Sequence, residues 1–392
     1  MNNIAYKYFT AYCNKITNKL FGVVHLRTHK KKKGSILLSF ITGPFTRAPN
    51  EYFTDPHAHY WVCAEIARLF LERGYDVDCI DLNNEHFIPK KNYVACIDLH
   101  HNLERLSPLL PPNCIKVMHI ASSEPKFQNN AEQKRIAEFS KRRKAVVTTR
   151  RVDTISNNPK YADFLEGYGN ETVHSTYKAF GKKIISIHVP VMKTCDFPVN
   201  KDFKNIKKHF LWFGGGGALL KGLDLVIEIF ASNPDMQLSI IGPASYEKDF
   251  EKAYANELKL PNITQYPRPK FTKNGEIQIG EKKLTEILNQ CVAIVYPSAS
   301  EGTSGSVLQA LHSGLIPIVS KETGINAEEA GGITLHLCAL AEIQTAIKKV
   351  SEMNTEEIEK RAKTAWNYAR KYHTKENFSK EYTSFIDTIL KL

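Results

Sequence analysis

No run of about 18 apolar residues exists in the chain, so no helix is expected to span a membrane. The first residues also lack the apolar core and small-residue cleavage site of a secretory leader. No C-x-x-C pair occurs among Cys13, Cys63, Cys79, Cys96, Cys114, Cys195, Cys291 and Cys338. Several of these sit inside apolar runs, as in Cys291-Val-Ala-Ile-Val-Tyr296. That pattern argues against a disulfide frame or a zinc site and reads as reduced, buried thiols of a cytoplasmic protein. Internal repeats and low-complexity tracts are missing as well. Residues 1–33 hold no Asp or Glu at all.

What is present is enough for two domains. The 392 residues exceed one hydrophobic core, and 42% of them are apolar and 10% aromatic. The net charge is +12, but eight of the positive charges lie in residues 1–33, which leaves the rest near +4. With the excess confined to an arm, and no aromatic-basic motif, nucleic acid is not an expected partner. Within that arm Ile4, Tyr8, Tyr12, Ile16 and Leu20 recur every four residues, with Lys7, Lys15 and Lys19 off the stripe. This predicts an amphipathic helix. Such a helix lies on an anionic membrane surface or packs on its own protein or a partner subunit. The first option makes the protein peripheral at the inner face of the membrane.

From Gly34 the pattern alternates strand and helix. Strands are expected at 35–41, 75–81, 94–99, 114–120, 145–149 and 184–189, with a helix from about Trp61 to Gly74. A polar, Lys- and Pro-containing stretch follows, and 196–208 reads as a linker. A second alternation starts at His209, with strands at 210–213, 237–241, 292–296 and 316–320 and helices at about 223–231 and 306–313. The expected division is an arm at 1–33, domains at 34–195 and 209–365, and C-terminal helices over 366–392 free to pack back on the first domain. The fold class is α/β, two Rossmann-like domains facing across a cleft, with ligands beyond the carboxyl ends of the strands.

Two segments carry chemistry. Leu211-Trp-Phe-Gly-Gly-Gly-Gly-Ala-Leu-Leu-Lys-Gly-Leu-Asp224 runs a strand into four glycines, a lysine and a helix. Glycines let the backbone approach a diphosphate, helix amides point toward it, and Lys221 adds a charge. In Tyr296-Pro-Ser-Ala-Ser-Glu-Gly-Thr-Ser-Gly-Ser-Val-Leu-Gln-Ala-Leu311, Glu301 follows a strand, and Gly302 to Ser306 form a small amide-rich turn at a helix start. Such a turn suits phosphate oxygens, and Glu301 suits sugar hydroxyls; a flexible loop and a plain helix cap are the structural alternatives.

Together these segments resemble the donor-binding half of retaining glycosyltransferases of family 4, which have the GT-B architecture. The resemblance covers about 209–350. It implies that Lys221 holds a donor diphosphate, that Glu301 contacts the donor sugar, and that position 309 contacts the ribose. Gln309 stands where the family has Glu, and Gly215 where it usually has Arg, so one cationic ligand is missing. On the resemblance, the donor side comprises Gly43, Gly214, Gly215, Gly216, Lys221, Gly242, Ser298, Glu301, Gly302, Thr303, Ser304, Gly305, Ser306 and Gln309. His119 is the candidate near the reacting centre. His57, His59, Asn129, Glu132 and Arg135 are candidates for the acceptor side. The implied reaction moves a sugar from a nucleotide-diphosphate sugar to a hydroxyl of a glycan or lipid-linked acceptor in surface polysaccharide or glycolipid synthesis. A GT-B epimerase or hydrolase and a non-catalytic nucleotide-sugar-binding protein are the alternatives. The resemblance implies no cofactor beyond the co-substrate and no metal. His57, His59 and Asp55, or Asp98, His100 and His101, offer no obvious third ligand pattern.

Overall fold

The computed structural model describes residues 4–47, 58–99, 101–242, 247–267 and 281–391. The first domain is built on a seven-stranded sheet of order β1-β3-β2-β4-β5-β6-β7. Its strands are β1 (Val24–Leu26), β2 (Gly34–Phe40), β3 (Tyr75–Asp81), β4 (Ala95–Asp98), β5 (Ile115–Ile120), β6 (Phe164–Gly167) and β7 (Ile184–Ser186). All pair in parallel except β1, which runs antiparallel to β3. Helices α1 (Ile4–Phe21), α2 (Gly43–Thr46), α3 (Ala58–Glu72), α4 (Asn102–Leu106), α5 (Pro125–Arg143), α6 (Asn158–Tyr161) and α7 (Glu171–Ser175) surround it. Side chains alternate across the sheet: Ile36, Leu38, Val77, Cys79, Ile97 and Val117 feed one core, and Leu37, Ile80, Cys96 and Met118 the other. Burial on both faces explains the apolar runs Ile36–Leu38 in β2 and Ala95–Ile97 in β4, whereas β3 carries Asp76 and Asp78 between its apolar residues.

The second domain carries six parallel strands in the order β10-β9-β8-β11-β12-β13. They are β8 (His209–Phe213), β9 (Gln237–Ile241), β10 (Ile263–Tyr266), β11 (Ala293–Tyr296), β12 (Ile316–Ser320) and β13 (Ile333–Leu335). Helices α8 (Leu223–Ala231), α9 (Lys248–Ala253), α10 (Glu281–Asn289), α11 (Gly305–His312), α12 (Leu340–Glu352) and α13 (Thr355–Tyr372) complete it. A last helix, α14 (Lys375–Leu390), returns to the first domain. There Phe378 meets Trp61 edge-on at 5.6 Å, and Arg73 pairs with Asp387 at 2.9 Å.

Several expectations change. Residues 145–149 are not a strand; the sheet position beside β5 belongs to β6. Val146 is exposed, and Thr148 gives both its amide and its hydroxyl to Asp249 of the second domain. The arm is not one unit, since Val24–Leu26 join the sheet. Arg27 and Lys32 are drawn to Asp76, at the end of the sheet away from α1. The polar 196–208 stretch is anchored: buried Lys201 donates to the carbonyls of Leu288 (3.2 Å), Ser313 (3.3 Å) and Gly314 (3.5 Å).

The two domains engage through α5. Arg142 pairs with Asp224 and, at 3.3 Å, with Glu228; Arg143 reaches Glu257 at 2.7 Å. Arg150, just beyond α5, pairs with Asp249 at 2.6 Å. Burial raises the Asp224 pKa even though Arg135 and Arg142 oppose it.

Candidate active site at the β8 and β11 strand ends

In the second sheet the strand order reverses between β8 and β11, which are hydrogen-bonded neighbours. A crevice at such a reversal is where open α/β sheets take ligands. Both motif segments start there. The β8 turn is shaped by close packing. A Cβ on Gly214 would lie 2.4 Å from the Trp212 ring, and one on Gly242 would lie 2.4 Å from the Gly214 carbonyl. Gly217 and Gly222 take φ of +86° and +72°, where a side chain is strained. Lys221 is then fixed by its backbone. Its carbonyl accepts from Trp212 Nε1 at 3.2 Å, and Ala299 N donates to Leu220 O at 2.9 Å, tying the two turns together.

The ammonium of Lys221 lies 3.3 Å from Glu301 Oε1, and the Tyr296 hydroxyl donates to the same oxygen at 3.0 Å. Beyond Glu301, Ser304 immediately precedes α11, and its hydroxyl lies 3.2 Å from that of Ser306. A Cβ on Gly305 would touch nothing within 4 Å, so the helix start opens onto free space. Gln309 lies about one turn further along α11, half-buried. Lys221, Glu301, Ser304, Gly305 and Ser306 thus share one crevice end. Thr303 instead lines a cavity of about 330 Å³ with Gly169, Asn170, His188, Gly324 and His373.

Two groups at this site had no sequence signal. Glu247, from the loop after β9, is buried and accepts from Gly217 N at 2.7 Å and Ala218 N at 3.2 Å. A carboxylate therefore occupies amides of the glycine turn. Arg151, from the first domain, packs its stem on Gly217: a Cβ there would lie 2.6 Å from Arg151 Cγ. Arg151 itself is exposed, and its amide is held by the Glu132 carboxylate at 2.9 and 3.0 Å.

Other expected site residues sit elsewhere. Ser298 is buried and donates to Ser300 O, so it shapes the turn rather than lining it. Gly302 is at the domain contact, where a Cβ would lie 2.0 Å from Ala121 O. Gly43 opens α2 beneath Tyr60, whose ring carbon would be 2.6 Å from a Cβ. His119 is fully buried, its Nδ1 2.8 Å from Glu166 Oε1, with Tyr168 edge-on at 4.8 Å. It does not open on the cleft. His59 lies in the same aromatic group, stacked on Tyr168 at 6.3 Å. His57 lies outside the described residues, as do Asp55 and His100.

Asn129, Glu132 and Arg135 do not line an acceptor pocket. Asn129 exchanges two hydrogen bonds with the Asp153 backbone, Glu132 holds the amides of Arg150 and Arg151, and buried Arg135 donates to Pro297 O at 2.6 Å. They fasten the 150–153 segment and the second domain to α5. Among the described residues no group of three or more His, Cys, Asp or Glu could hold a metal ion.

Two facing parallel α/β domains with this crevice define the GT-B architecture, and comparisons agree. Residues 199–372 match the family model described as glycosyl transferases group 1. The sucrose-phosphate synthase of Thermosynechococcus elongatus superposes with a TM-score of 0.60 at 12% identity, covering 92% of this chain and 100% of that one. The α,α-trehalose-6-phosphate synthase of Burkholderia multivorans gives 0.57 at 8% identity, covering 92% and 99%. TarM, known from S. aureus, gives 0.52 at 12% identity, covering 74% of this chain and 53% of that one. The chain thus spans about half the length of TarM. No protein of curated function matches it by sequence.

Proposed function

We propose that this protein is a glycosyltransferase that moves a sugar from a nucleotide-diphosphate sugar to an acceptor hydroxyl, with retention of anomeric configuration. The observation that carries the reading is the Lys221–Glu301 pair, 3.3 Å apart between two strand-end turns at the reversal of the second sheet. A cation and an acceptor carboxylate side by side suit a ligand that is anionic at one end and hydroxylated at the other. Lys221 holds the diphosphate, the α11 amides at Gly305 and Ser306 take its oxygens, and Glu301 accepts from sugar hydroxyls. Gln309 accepts from the ribose. Arg151 supplies the second cation that Gly215 does not, reaching the turn from the first domain.

In the reaction the acceptor oxygen bonds to the anomeric carbon as the bond from that carbon to the diphosphate oxygen breaks. The leaving diphosphate keeps the electron pair and takes the acceptor proton on one of its oxygens. Lys221 and Arg151 stabilise charge as it develops there, and the engaged domains exclude water. No metal is required in this scheme.

A thermal-shift series with UDP, GDP, ADP and their sugars tests donor binding, since a ligand of the native state raises apparent stability with affinity. UDP comes first because one GT-B neighbour, the trehalose-phosphate synthase of Burkholderia vietnamiensis, is described as UDP-forming. Product analysis with and without acceptor then separates transfer from epimerisation or hydrolysis. The reading expects release of nucleoside diphosphate only when an acceptor is supplied. Absence of any nucleotide shift removes it.

A further inference from the structure

Over residues 11–21, where its side chains are described, helix α1 is inverted relative to an ordinary surface helix. Its polar side faces the protein: Asn14 Nδ2 donates to Phe45 O at 3.0 Å, and Asn18 Nδ2 lies 3.3 Å from Thr42 Oγ1. Asn84 Nδ2 donates to Gly22 O at 2.8 Å and ties down the C-terminal end. The apolar side faces outward. Tyr12 is 64% exposed, Ile16 43%, Leu20 67% and Phe21 69%. Residues 12, 16 and 20 are four apart and so form one stripe. Exposed Lys15 and Lys19 flank it, and the helix sequence contains no acid. A helix packed only on its own protein would turn that stripe inward.

We propose that this face of α1 docks on an anionic phospholipid bilayer. The chemistry matches: an apolar stripe enters the headgroup–acyl boundary, and lysines beside it meet anionic headgroups. A second copy of the chain is a poorer occupant. A two-fold contact would bring the Lys15–Lys19 rows of the two helices together, with no acid on the helix to offset them. The lysine quartet at 30–33 follows β1, at the end of the sheet away from α1, and is not part of the face. Because α1 packs on α2, which follows β2 at the strand-order reversal of the first sheet, the bilayer would lie beside the first-domain rim of the cleft. Docking itself does not rest on the sugar-transfer reading; only the benefit to a lipid-linked acceptor does.

The test is flotation of the full chain with phosphatidylcholine vesicles containing or lacking phosphatidylglycerol. The expected result is binding that needs phosphatidylglycerol and weakens at high salt. Lys15→Glu with Lys19→Glu should weaken it roughly tenfold or more. Leu20→Ser with Phe21→Ser should abolish it, with the melting temperature and nucleotide-induced shifts kept. Failure of the wild-type chain to float with anionic vesicles overturns the proposal, whether or not it transfers sugar. Equal flotation with neutral vesicles overturns the electrostatic part. A concentration-dependent dimer in sedimentation velocity that the Leu20→Ser, Phe21→Ser variant dissolves assigns the face to a second copy instead.

Discussion

Lys221 and Glu301 lie on two different strand-end turns, yet their charged atoms are 3.3 Å apart, with Tyr296 donating to the same carboxylate oxygen. The pair holds each group in place before any ligand arrives. A donor that brought a diphosphate and sugar hydroxyls together would exchange this single contact for two.

Removing the cation should therefore act mainly on the chemical step, where diphosphate charge develops. Lys221→Ala is expected to lower kcat on the order of 10²–10³-fold, the usual loss when one stabilising group is removed. Lys221→Arg should recover part of it. Steady-state kinetics with saturating donor check this, and an unchanged kcat in Lys221→Ala would remove the lysine from the mechanism. Glu301→Gln should lower transfer as well, while preserving the hydrogen bond from Tyr296.

Glu247 presents a negative charge to the glycine turn through Gly217 N and Ala218 N. Glutamine keeps an acceptor for those amides and removes the charge beside the proposed diphosphate. Alanine removes both. Glu247→Gln should bind the nucleoside diphosphate more tightly than wild type, by a few-fold, and Glu247→Ala more weakly. Arg151→Ala should weaken it about tenfold, the equivalent of roughly one charge-assisted hydrogen bond. Titration calorimetry reads all three. Equal affinity for Glu247→Gln and wild type would mean that the carboxylate only shapes the loop.

What could be read from the sequence was local. Four glycines between a strand and Lys221, and Glu301 between a strand and a helix start, announce their turns because the backbone demands are met by neighbouring residues. Residues whose place depends on distant partners gave no such sign. Phe164–Gly167 is a strand because it fits beside β5, whereas 145–149 has strand-like composition but is held out over Asp249. Glu132 and Arg135 read as acceptor-side candidates until the 150–153 segment and Pro297 are placed against them. The stripe on α1 was plain in its spacing, but spacing does not say which side faces the protein.

His119 and Glu166 form a buried pair in the first domain, 2.8 Å apart and closed off from the cleft. Replacing the histidine should act on stability rather than turnover. His119→Ala is expected to cost about 1–3 kcal/mol, because buried Glu166 loses one of its two hydrogen-bond partners and keeps only the Tyr382 hydroxyl. Transfer by the folded fraction should stay within a few-fold of wild type. Denaturant unfolding beside kcat at low temperature checks this. A hundredfold fall in kcat at unchanged stability would put the histidine in the reaction after all.

Asp249 ties domain docking to Thr148 and Arg150 and is expected to make it respond to pH. Slight burial raises its pKa, but the amide and hydroxyl of Thr148, the Phe250 amide and Arg150 outweigh that and hold it at about 2. Undocking removes Thr148 and Arg150 but not the Phe250 amide, and lets the pKa rise toward the ordinary aspartate value of about 3.9. The docked state therefore binds fewer protons between these values. Its contribution is complete above about 4 and is lost as the pH falls toward about 2. Small-angle scattering should report a larger radius at acid pH, and Asp249→Asn should flatten that response. A variant with the wild-type pH profile would show that other groups govern docking.

Gly302, next to Glu301, packs on the first domain. Its Cα lies against the first domain, where an added Cβ would come within 2.0 Å of Ala121 O, a backbone atom that cannot swing away. Ser123 also donates to the Glu301 carbonyl there, through its amide at 3.1 Å and its hydroxyl at 2.8 Å. Gly302→Ala should force the domains apart without touching Lys221 or α11. Nucleotide-induced thermal shifts should then persist, while transfer to acceptor falls by at least about tenfold, because orientation across the cleft is lost. Loss of both together would mean that the Gly302 turn itself holds the nucleotide. Retention of both would mean that the engaged arrangement is not the one that reacts.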